Sequence, residues 1–445
     1  MKRFNIAFVC DFFYPGVGGV ESHIYQLSIH LKKLGHNIII ITHQVAQKER
    51  IRSGVRYIKG NIKVYYIPLK AVYNNTILIT YFGNFSVLRQ IFLRESIDIV
   101  HGHSAFSPLA LEALTFASTI GLKTVFTDHS LFGFADLSSI LANKALQFGL
   151  SHVDKIICVS HTSKENTVLR AKLNPTDVYV IPNAIDSEMF QPDISKVDPE
   201  RVNVVILSRL VYRKGIDLLC LIIPPLCHEF PYLNFTIGGD GPKYLDLEEI
   251  RERHKLQDRI KLLGSIEQDK VRTVLITGDI FLNTSLTEAF CIAIVEAASC
   301  GLDVVSTKVG GVVEVLSEEL IDLVPVSASE LASRLAAVIE RVRESKGSKT
   351  FEERQNVAKR RHEQIREFYN WNDVAKRTEV VYRDTFMKGI LSYQDRMKIY
   401  LNLGTVCGKL ACILWNFLYL FYHILCLLRP AHDILVLKDV KYKSL

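Results

Sequence analysis

The feature that most restricts how this chain can fold is an alternation, run through twice, of short Ile/Val-rich runs and longer stretches of helical spacing. In the first half, residues 4–10, 37–42, 97–100, 123–127 and 155–159 read as strands, and residues 19–34 give the clearest helix. Near-continuous apolar runs separated by helices belong to parallel strands whose two faces are both covered. Residues 55–68 depart from this, because Gly60-Asn61 between two alternating runs is hairpin chemistry. Polar residues with Pro192 and Pro199 fill 183–202 as a linker, and strands resume at 203–207, 234–237, 259–263, 279–282 and 303–306. The fold class is therefore α/β, two similar doubly wound halves in tandem, and 445 residues exceed what one core holds. Residues 327–388 turn charged and helical, and the close mixture of signs over 341–367 reads as solvated helix faces.

Lys and Arg number 54 against 47 Asp and Glu, a net charge of +7. This mild excess suits a phosphate-bearing ligand or an anionic membrane surface, and no basic patch interleaved with aromatics points to nucleic acid. The nine cysteines never form C-x-x-C and fall mostly in apolar runs, which reads as reduced thiols and not as a disulfide framework or zinc site. No secretory signal is evident, because the first apolar run ends at Asp11. Residues 410–428 form a 19-residue run without Asp, Glu, Lys or Arg. As a helix it is about 28 Å long, enough for a single membrane anchor. A buried or interfacial helix is the other reading, since Asn416 and His423 interrupt the run. Basic residues flank both ends (Arg396 and Lys398; Arg429, Lys438, Lys441 and Lys443), so flanking charge does not set orientation. Residues 79–92 mix aromatics with Arg89 and read either as core or as a membrane-contacting helix.

In doubly wound sheets, ligands bind beyond the C-terminal ends of the strands. After the first strand come Gly16, Gly18 and Gly19, which allow close backbone approach, followed by Glu21 and His23. A dinucleotide fingerprint needs glycine where Glu21 stands and an acid where Thr42-His43 close the second strand, so an oxidoreductase is disfavoured. In the second half, Arg209 and Lys214 lie five apart in a loop ending at Gly215, placed to neutralise a diphosphate together. The turn Gly238-Gly239-Asp240-Gly241 leaves room beside a nucleotide, and the backbone near Leu263 is placed to pair with a base. Residues 283–301 carry two carboxylates, Glu288 on a strand-to-helix turn and Glu296 about two turns into a helix starting near Ala289. Both can accept hydrogen bonds from sugar hydroxyls, and Ser285-Leu-Thr-Glu288 equally fits a capping box. His129, after another strand, is suited to hydrogen-bond a sugar hydroxyl or to stay structural; His101 and His103 are similar. H-E-x-x-H, G-x-S-x-G and P-loop patterns do not occur.

Taken in order, Gly18-Gly19-Val-Glu21, His129, Val180-Ile-Pro-Asn183-Ala-Ile-Asp186, Arg209 with Lys214-Gly215, Gly239-Asp-Gly-Pro242 and the E-x7-E element from Glu288 to Glu296 resemble the retaining glycosyltransferases of family four. The resemblance covers roughly residues 4–390 and implies the GT-B architecture, two facing Rossmann-like doubly wound domains, here with one C-terminal transmembrane helix. The implied division is 1–190 on the acceptor side, 191–370 for the nucleotide sugar, 371–409 as a helical return, 410–428 in the membrane and 429–445 as a tail. More narrowly, residues 10–23, 127–136 and 285–291 resemble the family of catalytic subunits that transfer N-acetylglucosamine to phosphatidylinositol. That implies a UDP-GlcNAc donor, a phosphatidylinositol acceptor, the first step of GPI-anchor synthesis at the cytosolic face of the endoplasmic reticulum, other membrane subunits, and no divalent metal or cofactor. Carried over by position, Arg209 and Lys214 hold the diphosphate, Glu296 the ribose, and Glu288 with the amides of Ala289, Phe290 and Cys291 the sugar, which His129 faces from the other domain. Gly18, Gly19, Gly239 and Leu263 complete the donor side, and Asp11, Glu21, His23 and Asp128 are acceptor-side candidates. Cys291 departs from the wider family, where glycine commonly follows the Phe. Lys409, Asn416 and His423, spaced by seven, share one helix face, either toward partner subunits or as tolerated polarity with Lys409 at the interface. Other lipid-acceptor glycosyltransferases, such as a dolichol-linked mannosyltransferase, and a non-catalytic nucleotide-binding scaffold are the competing readings.

Overall fold

A computed structural model describes residues 3–16, 18–47, 50–72, 75–80, 82–131 and 137–434. The chain forms two compact units, one of Met1–Ile181 with Asn372–Leu445 and one of Pro182–Trp371. The chain thus leaves its first unit at Ile181 and rejoins it at Asn372.

The first unit is built on an eight-stranded sheet in the order Val178–Val180, Lys155–Cys158, Lys123–Asp128, Ile99–His103, Asn5–Val9, Asn37–His43, Ile62–Ile67, Gly54–Ile58. All neighbours are parallel except the last pair. That pair is the hairpin turned by Gly60 and Asn61, both at positive φ (85° and 54°). Residues such as Ile6, Phe8, Ile40, Val100 and Phe126 are fully buried because helices cover both faces of the sheet. The strand order reverses at Asn5–Val9, so the loops after Val9 and His103 diverge there and leave a crevice for ligands.

The second unit carries a six-stranded parallel sheet in the order Ile260–Leu262, Leu233–Gly238, Val202–Leu207, Ile280–Asn283, Asp303–Thr307, Ile321–Val324. Its switch point lies between Val202–Leu207 and Ile280–Asn283, so the loop bearing Lys214 and the loop bearing Glu288 are neighbours. Ile321–Val324, Val178–Val180 and the small pair Val45–Gln47 with Arg50–Arg52 are strands that periodicity does not reveal.

After Trp371–Met387 and Tyr393–Leu401, the chain ends its described part in a 22-residue helix, Cys407–Leu428, with mean hydropathy 1.9 over its most apolar window, long and apolar enough to cross a membrane. One face is packed on the first unit through Gly408, Ala411, Trp415 and Leu418. Trp415 Nε1 donates to Thr119 Oγ1 at 3.1 Å, and Arg396 stacks over the indole at 5.0 Å. At the helix end, Arg89 donates to the Arg429 carbonyl at 3.1 Å, where a cation meets the negative end of the helix dipole. Leu410, Phe417, Leu420 and Leu427 on the other side are exposed. The polar stripe is thereby divided. Asn416 is satisfied within the chain by the Cys412 carbonyl (2.7 Å) and the Tyr393 hydroxyl (2.7 Å), while His423 packs on Tyr419 and Tyr422. Lys438, Lys441 and Lys443 lie outside the described residues.

Of the two readings of residues 79–92, core packing holds for the helical part, with Tyr81 outside the described residues. The helix Phe85–Arg94 turns Phe85, Leu88, Ile91 and Phe92 into the core, and Arg89 is buried under the C-terminal helix. Hydrophobic spacing in this helix serves packing, while the large hydrophobics Leu78, Ile79, Phe82 and Val87 are exposed.

Because Trp415 is 2 % exposed and Phe417 60 %, the two aromatics of this helix predict opposite outcomes. Trp415→Ala in the detergent-solubilised full chain is expected to cost about 3–5 kcal/mol, as buried aromatic truncations do. Phe417→Ala is expected to leave the unfolding transition within about 0.5 kcal/mol. Equal transitions for the two variants in a denaturant titration would show that the helix does not belong to the packed unit.

Candidate functional site

In the second unit, the site grows from two loops clamped together. Gly215 adopts φ 67°, and a Cβ there would stand 1.9 Å from the Thr284 carbonyl oxygen, so only glycine lets the loops touch. Thr284 Oγ1 donates to the Lys214 carbonyl at 2.8 Å, and the Leu286 N–H donates to the Arg213 carbonyl at 2.9 Å. This seats the Lys214 ammonium against the Glu288 carboxylate in an ion pair. Burial disfavours the lysine's charge, but Glu288 outweighs it, and Lys214 is held above its ordinary value. The exposed Arg209 lies close enough for its like charge to oppose that of Lys214. Ser285 Oγ reaches the same Glu288 carboxylate at 2.8 Å, and the Glu288 carbonyl accepts from the Gly311 N–H at 2.9 Å.

Two expectations about this stretch are overturned. The helix begins at Ile292, not near Ala289, with Cys291 as its N-cap in the left-handed region (φ 67°, ψ 76°). Ser285 and Glu288 therefore bond side chain to side chain ahead of the helix and form no capping box, because a left-handed residue interrupts helical backbone between them and the first turn. Glu296 lies just over one turn into the helix, not two. Its carboxylate is buried and accepts from Gln268 Nε2 at 3.3 Å. Burial pushes it up to about 7, against the smaller opposing effect of Gln268. Ala289 and Phe290 are buried, with the Phe290 ring edge-on to Tyr369.

The glycine turn after Leu233–Gly238 also has a different reason from the one expected. A Cβ on Gly239 would lie 1.8 Å from the Ser208 carbonyl oxygen, and one on Gly241 2.4 Å from that of Leu210. The space that these side chains would occupy is filled by the backbone of the Arg209 loop, which they lock in place. The Gly239 N–H donates to the Gly264 carbonyl (2.7 Å) and the Leu263 N–H to the Ile237 carbonyl (2.9 Å), so neither amide is unpaired.

In the first unit, the room left by Gly16 and Gly18 is taken up by Glu21, whose carboxylate oxygens would lie 3.2 and 2.6 Å from added Cβ atoms. Gly19 opens the helix Gly19–Lys33 behind them, and Val17 lies outside the described residues. Asp11 and Asp128, expected on the acceptor side, are buried and accept hydrogen bonds from the protein's own donors. Asp11 accepts from Ser107 Oγ (2.6 Å), Leu109 N–H (3.0 Å) and Ile77 N–H (3.0 Å), tying three segments together. Asp128 accepts from the Ser130 N–H (3.0 Å) and from Thr167 Oγ1 (2.8 Å), and so fixes the turn that carries His129. His23, His103 and His129 converge, their nitrogens all within 4.8 Å of one another, and His101 stacks on His103 with centroids 4.2 Å apart. Burial holds His101, His103 and His129 well below the ordinary imidazole value, so these rings are neutral. Among the described residues, the trio of His23, His103 and His129 is the one group that could hold a metal ion; within it, His103 Nδ1 and His129 Nε2 hydrogen-bond each other at 3.4 Å. Residues 132–136 of the resembling segment lie outside the described residues.

Gln268 was not among the residues singled out from sequence, and Ser285 was singled out only as a helix cap. Ser285 was visible as the first residue of an S-x-x-E spacing; Gln268 carries no local signal, since its partner is 28 positions away.

A family model described as PIGA (GPI anchor biosynthesis) matches residues 47–136, and one described as Glycosyl transferases group 1 matches residues 188–363. The chain is 52 % identical to a phosphatidylinositol N-acetylglucosaminyltransferase subunit of Homo sapiens over 95 % of its length and 85 % of that protein. It is 47 % identical to the Arabidopsis thaliana protein of the same name, over 98 % of this chain and 95 % of that one. Among solved structures, a glycosyltransferase from Rickettsia africae matches with TM-score 0.66 at 19 % identity, covering 87 % of this chain and all (100 %) of the other. Anabaena HepE in complex with UDP and glucose matches with TM-score 0.65 at 18 % identity, over 86 % and 100 %. The fold is GT-B, and the chain belongs to the PIGA (GPI anchor biosynthesis) family of phosphatidylinositol N-acetylglucosaminyltransferase subunits.

Proposed function

We propose that this glycosyltransferase moves N-acetylglucosamine from UDP-N-acetylglucosamine to an inositol hydroxyl of phosphatidylinositol, with retention at the anomeric carbon. The observation that carries the reading is the Lys214–Glu288 pair, with Arg209 and the buried Glu296 on the same switch point. The names of the human, plant and fission-yeast relatives support the substrates.

Before the donor binds, Lys214 has Glu288 as its counter-charge. A diphosphate offers the lysine a second anion, with Arg209 beside it, and these two cations can bear the charge of leaving UDP without a divalent metal. Glu288, still held by Ser285, turns its other acceptor positions to the sugar hydroxyls, next to the amides of Ala289, Phe290 and Cys291. His129 is assigned to a sugar hydroxyl as a neutral imidazole. Retention is assigned to a same-face reaction. The bond from the anomeric carbon to the phosphate oxygen breaks, the bond to the inositol oxygen forms on that face, and the inositol proton passes to the departing phosphate. The enzyme is assigned to the cytosolic side of the endoplasmic reticulum membrane, working with other membrane subunits.

The direct test supplies radiolabelled UDP-N-acetylglucosamine and phosphatidylinositol to membranes holding the chain and its partners. A labelled glycolipid is expected, and Lys214→Gln is expected to lower its rate about 10²-fold or more, the loss typical of removing a charge-stabilising group. Transfer from GDP-mannose in place of the labelled donor would overturn the substrate assignment, and a glycosyl adduct trapped on Glu288 would overturn the same-face reaction.

Glu296 gives a pH signature. Its carboxyl, pushed up to about 7, is protonated more readily in the folded chain than in the unfolded one. Its contribution to stability is complete below the unfolded value of about 4.3 and fades as pH rises through about 7. Ribose hydroxyls donate to the ionised form, so donor binding releases a proton and tightens as pH rises from about 6 to 8. Glu296→Gln is expected to raise the melting temperature at pH 8 while weakening UDP binding and flattening its pH dependence in calorimetric titrations. An unchanged pH profile in this variant would remove Glu296 from the ribose.

A further inference from the structure

At the N-terminal ends of Ile280–Asn283 and Asp303–Thr307, the sheet edge opposite Lys214 and Glu288, the second unit holds a cavity of about 180 Å³. Five cationic and three carboxylate side chains line it. Most of these charges are already matched. Lys346 directs its three donors to Asp279 Oδ1 and to the carbonyls of Asp198 and Arg201, each at 2.7 Å. Arg361 bonds Asp303 at 2.8 Å, and Arg341 bonds Asp303 and Asp322.

Arg354 is the exception. Its Nε is buried without a hydrogen-bond partner, and among the described residues no carboxylate pairs with its guanidinium. It also stands beside Lys346, where its charge adds to burial in holding that lysine below its ordinary value. A half-buried guanidinium next to a second cation, facing a cavity and lacking an acceptor, is an arrangement that a bound anion completes. Lys349 is exposed at the cavity's rim, and Arg354 lies in the first turn of the helix Phe351–Phe368, whose dipole also favours negative charge.

We infer that this cavity is an anion site, distinct from the donor site, that takes the phosphate group of a small soluble molecule on Arg354 and Lys349. The guanidinium fork fits two oxygens of a tetrahedral oxyanion, and the cavity has room for more than the ion alone. Arg341 and Lys349 at the rim are exposed, so a soluble phosphoester reaches the cavity directly from water.

The test is a thermal-shift titration of the full chain in detergent with inorganic phosphate at constant ionic strength, with UDP present throughout to occupy the donor site. A saturable rise in melting temperature is expected, preserved in Lys214→Gln and shifted to at least tenfold higher phosphate in Arg354→Gln. Lys349→Gln, at an exposed position, is expected to weaken the effect severalfold and serves where the arginine variant does not fold. A response at lower concentration with glycerol phosphate than with inorganic phosphate supports a phosphoester ligand. No saturable rise, a rise unchanged in both the Arg354 and Lys349 variants, a rise lost in Lys214→Gln, or a response confined to phosphatidic acid vesicles overturns the proposal.

Discussion

The ion pair between Lys214 and Glu288 is the interaction on which the second unit's loops depend. A half-buried ammonium and carboxylate lose part of their hydration on folding, and only good geometry recovers it. The chain supplies that geometry through backbone. Gly215 lets the lysine loop touch Thr284, Gly239 and Gly241 let the next turn press on residues 208–210, and Gly311 takes the Glu288 carbonyl. Gly215, Gly239 and Gly241 are each required by a close approach of two loops at strand ends. The result is a pair held in place before any ligand arrives, so its ordering belongs to folding and not to binding.

The alternation of strands and helices was legible because buried parallel strands leave little choice beyond Ile, Val, Leu and Phe, and the hairpin because Gly60-Asn61 suits two positive φ angles. Ile321–Val324 was not, since Asp322 breaks the run, and its place at the sheet edge tolerates that. Local reading went astray where a side chain's partner lies far along the chain. Ser285 and Glu288 have the spacing of a helix cap, but the partner that holds Glu288 is 74 positions away. Asp11 and Asp128 stand beside ligand-like motifs, yet Asp11 is held by Ser107 and Leu109, 96 and 98 positions on, and Asp128 by Thr167, 39 on. Motif position marks the neighbourhood of a site; whether a carboxylate faces a ligand or the protein is decided by contacts that spacing does not encode.

Cys291 shows the converse, a residue whose departure from the wider family becomes intelligible in the structure. Its φ of 67° is one that glycine adopts without penalty and that costs other residues roughly 1 kcal/mol. The glycine common in the wider family thus answers a backbone need, not only a need for space. A cysteine there keeps the turn at a small energetic cost and adds a thiol that burial and the Glu288 charge drive toward the protonated form, so it acts as a compact apolar group and not as a nucleophile.

Glu296 and the His23, His103 and His129 group illustrate opposite responses to burial. Burying imidazoles is tolerable, because the ring can shed its charge: His103 Nδ1 and His129 Nε2 hydrogen-bond each other, and a neutral His103 bears its buried, unpartnered Nε2 at a smaller cost than a charge. Burying a carboxylate is not, unless it is protonated or well bonded, and Glu296 has Gln268 at 3.3 Å. A fold selected for stability alone would replace it. Its presence on the helix behind the Lys214–Glu288 pair is therefore intelligible if a ligand's hydroxyls supply further donors, so that the cost of burying the charge is relieved on binding.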